Sequence, residues 1–257
     1  MLLRAVEEVS RMINYIFAEN LKHRRSFLKK LIVIAPLTAI LNAFILMQNY
    51  FAVNAYNWWY VILMPASFAL ITAMIHRKDD RKLKYRAVFP LNISLKKMWM
   101  SKVFVALIYI VIASAIHMTG VFVLQYMAGS RLIPYYGFAT LFLASFLLVV
   151  VNLWQIPFCL FLAKKIGFVA SVVGNVIAGI LLGIVFSTTN AWIFCPYSWG
   201  MRLMIPVLKI LPNGTLAEAA EPMISNTSFA VPCIMSIVIF VVLAVFTANW
   251  FSKLEVK

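Results

Sequence analysis

Acidic residues are scarce in this chain: of 257 residues only 8 are Asp or Glu, against 23 Lys and Arg. Histidine and cysteine are scarcer still, at three each. Cys159, Cys195 and Cys233 fit neither a disulfide framework nor a metal-ligand spacing. Buried free thiols are the expected state, with a Cys195–Cys233 pair on the outer face as the lesser alternative. The histidines are far apart and no H-E-x-x-H occurs, so no metalloprotease site is visible. A G-x-x-x-x-G-K-[ST] phosphate loop is also missing, so the chain has no ATP site of that kind.

What is abundant is apolar surface. Hydrophobic residues make up 64% and charged residues 12% of the chain, and the mean hydropathy is +0.93. A soluble chain of this length cannot hide so much apolar surface in one core, so the excess is expected to face lipid. Crossing a bilayer takes about 20 apolar residues as a helix. Six runs qualify, at 31–48, 58–75, 103–127, 138–163, 169–187 and 231–250, and none contains Lys, Arg, Asp or Glu. Barrel strands would alternate apolar and polar with a period of two, which these runs do not. The fold class is therefore an all-α integral membrane protein with six transmembrane helices and both termini on one side.

A net charge of +15 would suggest nucleic acid in a soluble protein, but the placement of the bases points to topology instead. Twenty of them fall before span one, between spans two and three, after span four and after span six. Only Arg131, Arg202 and Lys209 fall on the other side. Positive charge concentrates on the cytoplasmic side of membrane proteins, so both termini are expected in the cytoplasm and no nucleic acid is implied. The expected layout is a cytoplasmic N-terminal segment over 1–30, a six-span domain over 31–250 and a tail over 251–257. The domain carries a cytoplasmic loop at 76–102 and an outer segment at 188–230.

The stretch from Met12 to Lys30 has helical periodicity, with Ile13, Ile16, Phe17, Leu21 and Leu28 near one face and Lys22, Arg25 and Lys29 on another. It is expected to lie as an amphipathic helix along the membrane interface, with bases near anionic headgroups. Residues before Met12 look dispensable, and no cleavable signal peptide is visible. In the loop at 76–102, Asp79-Asp80 reads as the start of a short helix over Arg81–Val88 that Pro90 ends, with Asn92 or Ser94 capping the next helix. Such a projecting helix suits docking of a cytoplasmic partner, with Tyr85, Val88 and Phe89 as its apolar contacts. A solvated basic loop is the plainer alternative.

Within the spans, the absence of carboxylates argues against proton or sodium coupling. His117 in span three is expected to serve as a hydrogen-bonding group. Gly174, Gly179 and Gly183 in span five contain a G-x-x-x-G pair, which allows close helix approach either within the chain or against another membrane subunit. Asn152 and Gln155 in span four suit either a polar route or interhelical hydrogen bonds. Tyr56, Trp58, Trp59 and Tyr60 suit an outer aromatic belt, with contact to a substrate as the sharper reading. Four prolines break the segment 188–230, and its Trp192, Phe194, Trp199, Leu203, Met204 and Leu208 are expected in short helices dipping into the outer leaflet. Glu218 and Glu221, its only acids, are candidates for contact with a cationic peptide.

Six spans, the amphipathic entry helix, the loop between spans two and three and the long outer segment resemble the ABC-2 type permeases. The stretches INYIFAENLKHRRSFLKKLIVIAPL (13–37), NAYNWWYVILMP (54–65), RKLKYR (81–86) and LKKMWMSK (95–102) resemble the lantibiotic-immunity permease subunits within that class. The resemblance covers roughly residues 12–105 and elsewhere rests on layout. It implies a multi-pass protein of the bacterial plasma membrane that binds no cofactor itself. ATP and Mg would sit on a separate ATP-binding subunit, in two copies, and a second, different permease would complete the exporter. The implied function is expulsion of lantibiotic-type antimicrobial peptides. The implied ATPase-coupling residues are Asp80, Leu83, Tyr85, Val88 and Phe89. Two other readings stand beside it: an ABC-2 permease for another amphiphile (a drug, lipid or glycan precursor), and a membrane scaffold or sensor that transports nothing.

Overall fold

The computed structural model describes residues 2–80, 85, 93–128, 134–218 and 221–254. Among them there are no strands, only helices, their connections and one isolated antiparallel bridge, Ile210 to Leu216. Five helices are long and apolar enough to cross a membrane, and a bent pair makes a sixth if counted as one span. They are α2 (Phe27–Leu46), the continuous helix Gln48–Asp80, α5 (Leu95–Ala128), α8 (Phe168–Ser187) and α11 (Ala230–Phe251). The bent pair is α6 (Phe138–Val151) and α7 (Gln155–Ile166), which meet at 44°. These are the helices of a multi-pass membrane protein.

The side-chain arrangement is the inverse of a soluble bundle. Along α8, Ser171, Asn175, Gly179, Gly183 and Ser187 recur every fourth residue and are buried, whereas Val169, Val173, Ile177, Leu181 and Val185 are exposed. On α11, Ser236, Ala244, Thr247 and Ala248 face inward while Ile234, Val238, Val241 and Val245 face out. Small and hydroxylated residues let helix backbones approach, and the large aliphatic ones suit a lipid surround. Buried hydroxyls find partners nearby: Thr72 donates to Phe68 O at 2.7 Å and Ser236 to Val150 O at 2.7 Å.

Prolines explain two irregularities. In Gln48–Asp80, a π turn at Trp59–Leu63 joins α3 (Phe51–Trp58) to α4 (Met64–Asp80). Pro65 follows directly and has no N–H for the carbonyl four residues back. Likewise Pro157 follows the break at Asn152–Trp154, where Asn152 N bonds Val149 O and Leu153 N bonds Val150 O in tighter turns, both at 3.3 Å. Between α7 and α8 only Gly167 intervenes, at φ 90°.

Several boundaries differ from the sequence expectations. Span two begins at Gln48 rather than 58, because Phe51, Ala52, Val53, Ala55 and Tyr56 are buried among the helices despite their polar neighbours. The N-terminal helix α1 runs Leu2–Lys22 and ends in turns before Ser26, so Leu28 belongs to α2 and is buried. The exposed apolar stripe of α1 is Val9, Ile13, Phe17 and Leu21. In the segment 188–230, α9 (Trp199–Leu208) packs inside the chain, with Trp199, Leu203, Met204 and Leu208 buried, in place of the expected exposure to lipid. Phe194 alone of that apolar set remains prominent, at 82% exposed. The three thiols are free.

Candidate functional site

At the end of the bundle where α1, α4 and α5 meet, four charges form a closed cluster. Lys102 is fully buried, at 0% exposed, and Glu19 at 2%. Lys102 Nζ donates to Glu19 Oε1 at 2.7 Å and to Asp79 Oδ2. Lys22 Nζ completes the ring, reaching Glu19 Oε2 at 2.8 Å and both Asp79 oxygens at 3.1 Å. Two cations and two anions balance. Burial would raise the Glu19 carboxyl, but the Lys102 charge, the His23 contact and Lys22 outweigh it and hold the group well below the usual carboxylate range. Beside the ring, Asn20 Oδ1 accepts from Lys29 Nζ at 2.9 Å and from Tyr109 OH at 2.6 Å. The cluster ties the N-terminal helix to the ends of spans two and three.

Asp79 and Asp80 are the last described residues of α4, and the short helix expected over Arg81–Val88 lies, Tyr85 apart, outside the described residues. The two acids stand at the end of α4 where the helix dipole disfavours a carboxylate, and cations offset that cost. Asp80 pairs with Lys164 at 3.0 Å, with His76 Nε2 at 3.8 Å. Tyr85 sits in a turn at φ 66° and is 1% exposed. Its ring stacks edge-on to Phe251 with centroids 5.3 Å apart, and its hydroxyl lies 2.7 Å from His76 Nδ1. Burial, with the Asp79 and Asp80 charges, pushes its phenol well up. Tyr85 is thus a contact within the chain, not part of a projecting docking face. Leu83, Val88 and Phe89 lie outside the described residues. Ser94 precedes α5, its carbonyl accepting from Met98 N at 2.9 Å and its hydroxyl facing Lys97 N at 3.4 Å.

A second, neutral cluster occupies the bend of span four. Asn152 donates to Leu148 O at 2.8 Å, and Gln155 donates to Asn152 Oδ1 at 2.7 Å. Asn175 Nδ2 donates to Gln155 Oε1 and to Pro65 O, each at 3.0 Å, while Tyr197 OH donates to Asn175 Oδ1 at 2.8 Å. Asn152 and Gln155 are buried in this chain of bonds rather than lining an open route.

Tyr56 and Trp59 are also inside, not in an outer belt. Trp59 stacks on His117 at 4.9 Å, Tyr56 meets the same ring edge-on, and His117 Nε2 lies 3.1 Å from Ala55 O. Tyr60 is buried and Trp58 half-buried. An added methyl on Gly179 would meet Pro65 at 3.3 Å, and one on Gly183 would meet Met201 at 2.6 Å. Of the two readings left open for the G-x-x-x-G pair, the geometry has it packed within the chain, while Gly174 faces open space. Glu218 is exposed and Glu221 half-buried ahead of the turn Pro222–Ser225. Nearby, Arg202 is buried, donating to Ser187 O and Thr227 Oγ1 at 3.0 Å each.

Sequence reasoning missed Glu19, Lys22 and Lys102 as a site. The scarcity of acids was the available signal, since three of only 8 acidic residues, Glu7, Glu8 and Glu19, stand in the N-terminal helix. Among the described residues, no group of three His, Cys, Asp or Glu is placed to hold a metal ion. No protein-family model, curated protein or solved structure matches this chain.

Proposed function

We propose that this chain is the permease subunit of an ATP-driven exporter that expels lantibiotic-type peptides from the bacterial plasma membrane. Hydrolysis would belong to a separate ATP-binding subunit in two copies, and a second, different permease would complete the passage. The resemblance over residues 12–105 supports this reading, and one observation carries it: the Glu19–Lys102–Asp79–Lys22 cluster. It joins α1 to both helices that flank the loop after Asp80, so force applied to that loop would pass to spans two and three and to the interfacial helix together. The satisfied polar chain Asn152–Gln155–Asn175 presents few free donors to a passing peptide, which fits a route formed between two different permeases.

The test is purification in mild detergent from the native cell, with Val88→Asp and Phe89→Asp as variants. Tyr85 is unsuitable because its burial would confound docking with folding. Co-purification of an ATPase and a second permease, with the ATPase lost in the variants, is the expected result. An intact protein that brings down no ATPase would put the scaffold or sensor reading in its place.

A further inference from the structure

Between α2, α4 and α8, at the same basic end, lies a cavity of about 360 Å³. Leu31, Leu70 and Met74 supply apolar lining, and Ser26 with the exposed Arg77 and Lys78 marks the mouth. Leu70 and Lys78 are two turns apart on α4, so the cavity extends about 12 Å along the helix axis. It is apolar inward and basic outward.

Two features mark the mouth for an anion. First, no carboxylate is paired with Arg77 or Lys78 among the described residues, and the described acids of this face are taken. Glu7 pairs with Arg11, Glu8 with Lys97, Glu19 and Asp79 with Lys22 and Lys102, and Asp80 with Lys164. The sequence from 81 to 94 contains no Asp or Glu. The Arg77 guanidinium lies 5.2 Å over the Phe168 ring, which holds it at the cavity edge. Second, α2 and α8, of 20 residues each, both begin here at Phe27 and Phe168, and neither has a side-chain cap on its first N–H groups. Such helix ends favour negative charge. His23 also lines the cavity but is 1% exposed, and its Nε2 faces Glu19 Oε1 at 3.5 Å, so it belongs to the charged ring rather than to the mouth.

We propose that this cavity binds an anionic glycerophospholipid of the adjoining leaflet, its phosphate against Arg77, Lys78 and the two helix ends, and one acyl chain running past Met74 and Leu70. Basic pockets between membrane helices suit such headgroups. The apolar depth favours a lipid over free phosphate, which would use the mouth and leave the inner wall facing water. A bound lipid would brace the turn between α1 and α2 against the end of α4, one residue from Asp79. The assignment does not depend on the transport reading.

The experiment is native mass spectrometry of the full chain from neutral micelles, titrated with phosphatidylglycerol or with phosphatidylcholine of the same acyl chains. Phosphatidylglycerol is expected to bind about ten-fold more tightly. The Arg77→Gln/Lys78→Gln variant, whose changes are at exposed positions, should lose that preference. The Arg24→Gln/Arg25→Gln variant, altered at exposed bases off the cavity, should keep it. Equal affinity for the two lipids, or a preference that survives loss of Arg77 and Lys78, would overturn the proposal. Displacement of the lipid by millimolar inorganic phosphate would also overturn it, marking a free-anion site instead.

Discussion

Glu19, Lys22, Asp79 and Lys102 hold one another as full charges at the basic end, whereas Asn152, Gln155, Asn175 and Tyr197 fill the bend of span four with neutral amides and a phenol. The charged cluster joins α1, α4 and α5, and the neutral one joins span four to α8, α4 and Tyr197; both bury polar atoms, yet they sit in different surroundings. Lys22 is 33% exposed at its side chain, so the charged ring keeps one edge toward water or headgroups. The amide chain lies among Leu148, Ile156 and Leu160, all fully buried, where an ion would carry a desolvation cost that hydrogen bonds alone do not offset. Charge gives a strong link that fails badly when one partner is lost. Neutral amides give a weaker link that degrades by single bonds.

The sharpest way to break this comparison is Lys102→Met. It leaves Glu19 and Asp79 buried with Lys22 alone, and should cost about 3–5 kcal/mol of stability, read as a large fall in the thermal midpoint in micelles. Glu19→Leu added to Lys102→Met removes an anion with the cation and should recover more than half of that loss. A double variant no better than the single would show that the two side chains are not coupled. Asn175→Leu should cost less, about 2 kcal/mol, since it strands the Gln155 and Pro65 acceptors and the Tyr197 hydroxyl in a setting where single membrane hydrogen bonds are worth little. Gly183→Ala should cost about 1 kcal/mol, because the new methyl meets the movable end of Met201. Gly174→Ala, with nothing within 4 Å of its methyl, should leave the midpoint unchanged.

The smallest effect concerns pH. Glu19 is depressed below its unfolded value. Its contribution is therefore complete above the ordinary carboxylate range and is lost progressively as pH falls from that range through the depressed value. Glu19 should thus add no slope to a midpoint-against-pH curve between pH 8 and pH 5. A wild-type slope in that window that Glu19→Gln abolishes would contradict the charged ring as described.

How much was legible in the sequence follows the same division. Hydropathy reports whether a segment prefers lipid to water, and each of the six apolar runs corresponds to a helix or to the bent pair. It does not report what a polar residue touches. Asn49, Asn54 and Asn57 lowered the signal of the segment before 58, so a buried helix read as an outer loop. Lys102 read as one of nine bases in a basic loop. Its partners stand 83 and 23 residues away, and no local pattern connects them. The dipeptide Asp79-Asp80 looked like a helix start because acids favour that position. Here tertiary contacts with Lys22, Lys102 and Lys164 override the local preference. The small-residue stripe of α8 was visible, but the sequence left open whether it met this chain or another, and Pro65 and Met201 answer that.

The single residue between α7 and α8 has a mechanical consequence. Gly167 holds φ at 90°, a conformation that L side chains rarely adopt, and it leaves no slack between the two helices. Spans four and five are therefore geared: a tilt of one transmits directly to the other, with nothing between them to absorb it. The bend at Asn152–Trp154 is the nearest place upstream where that motion can be taken up.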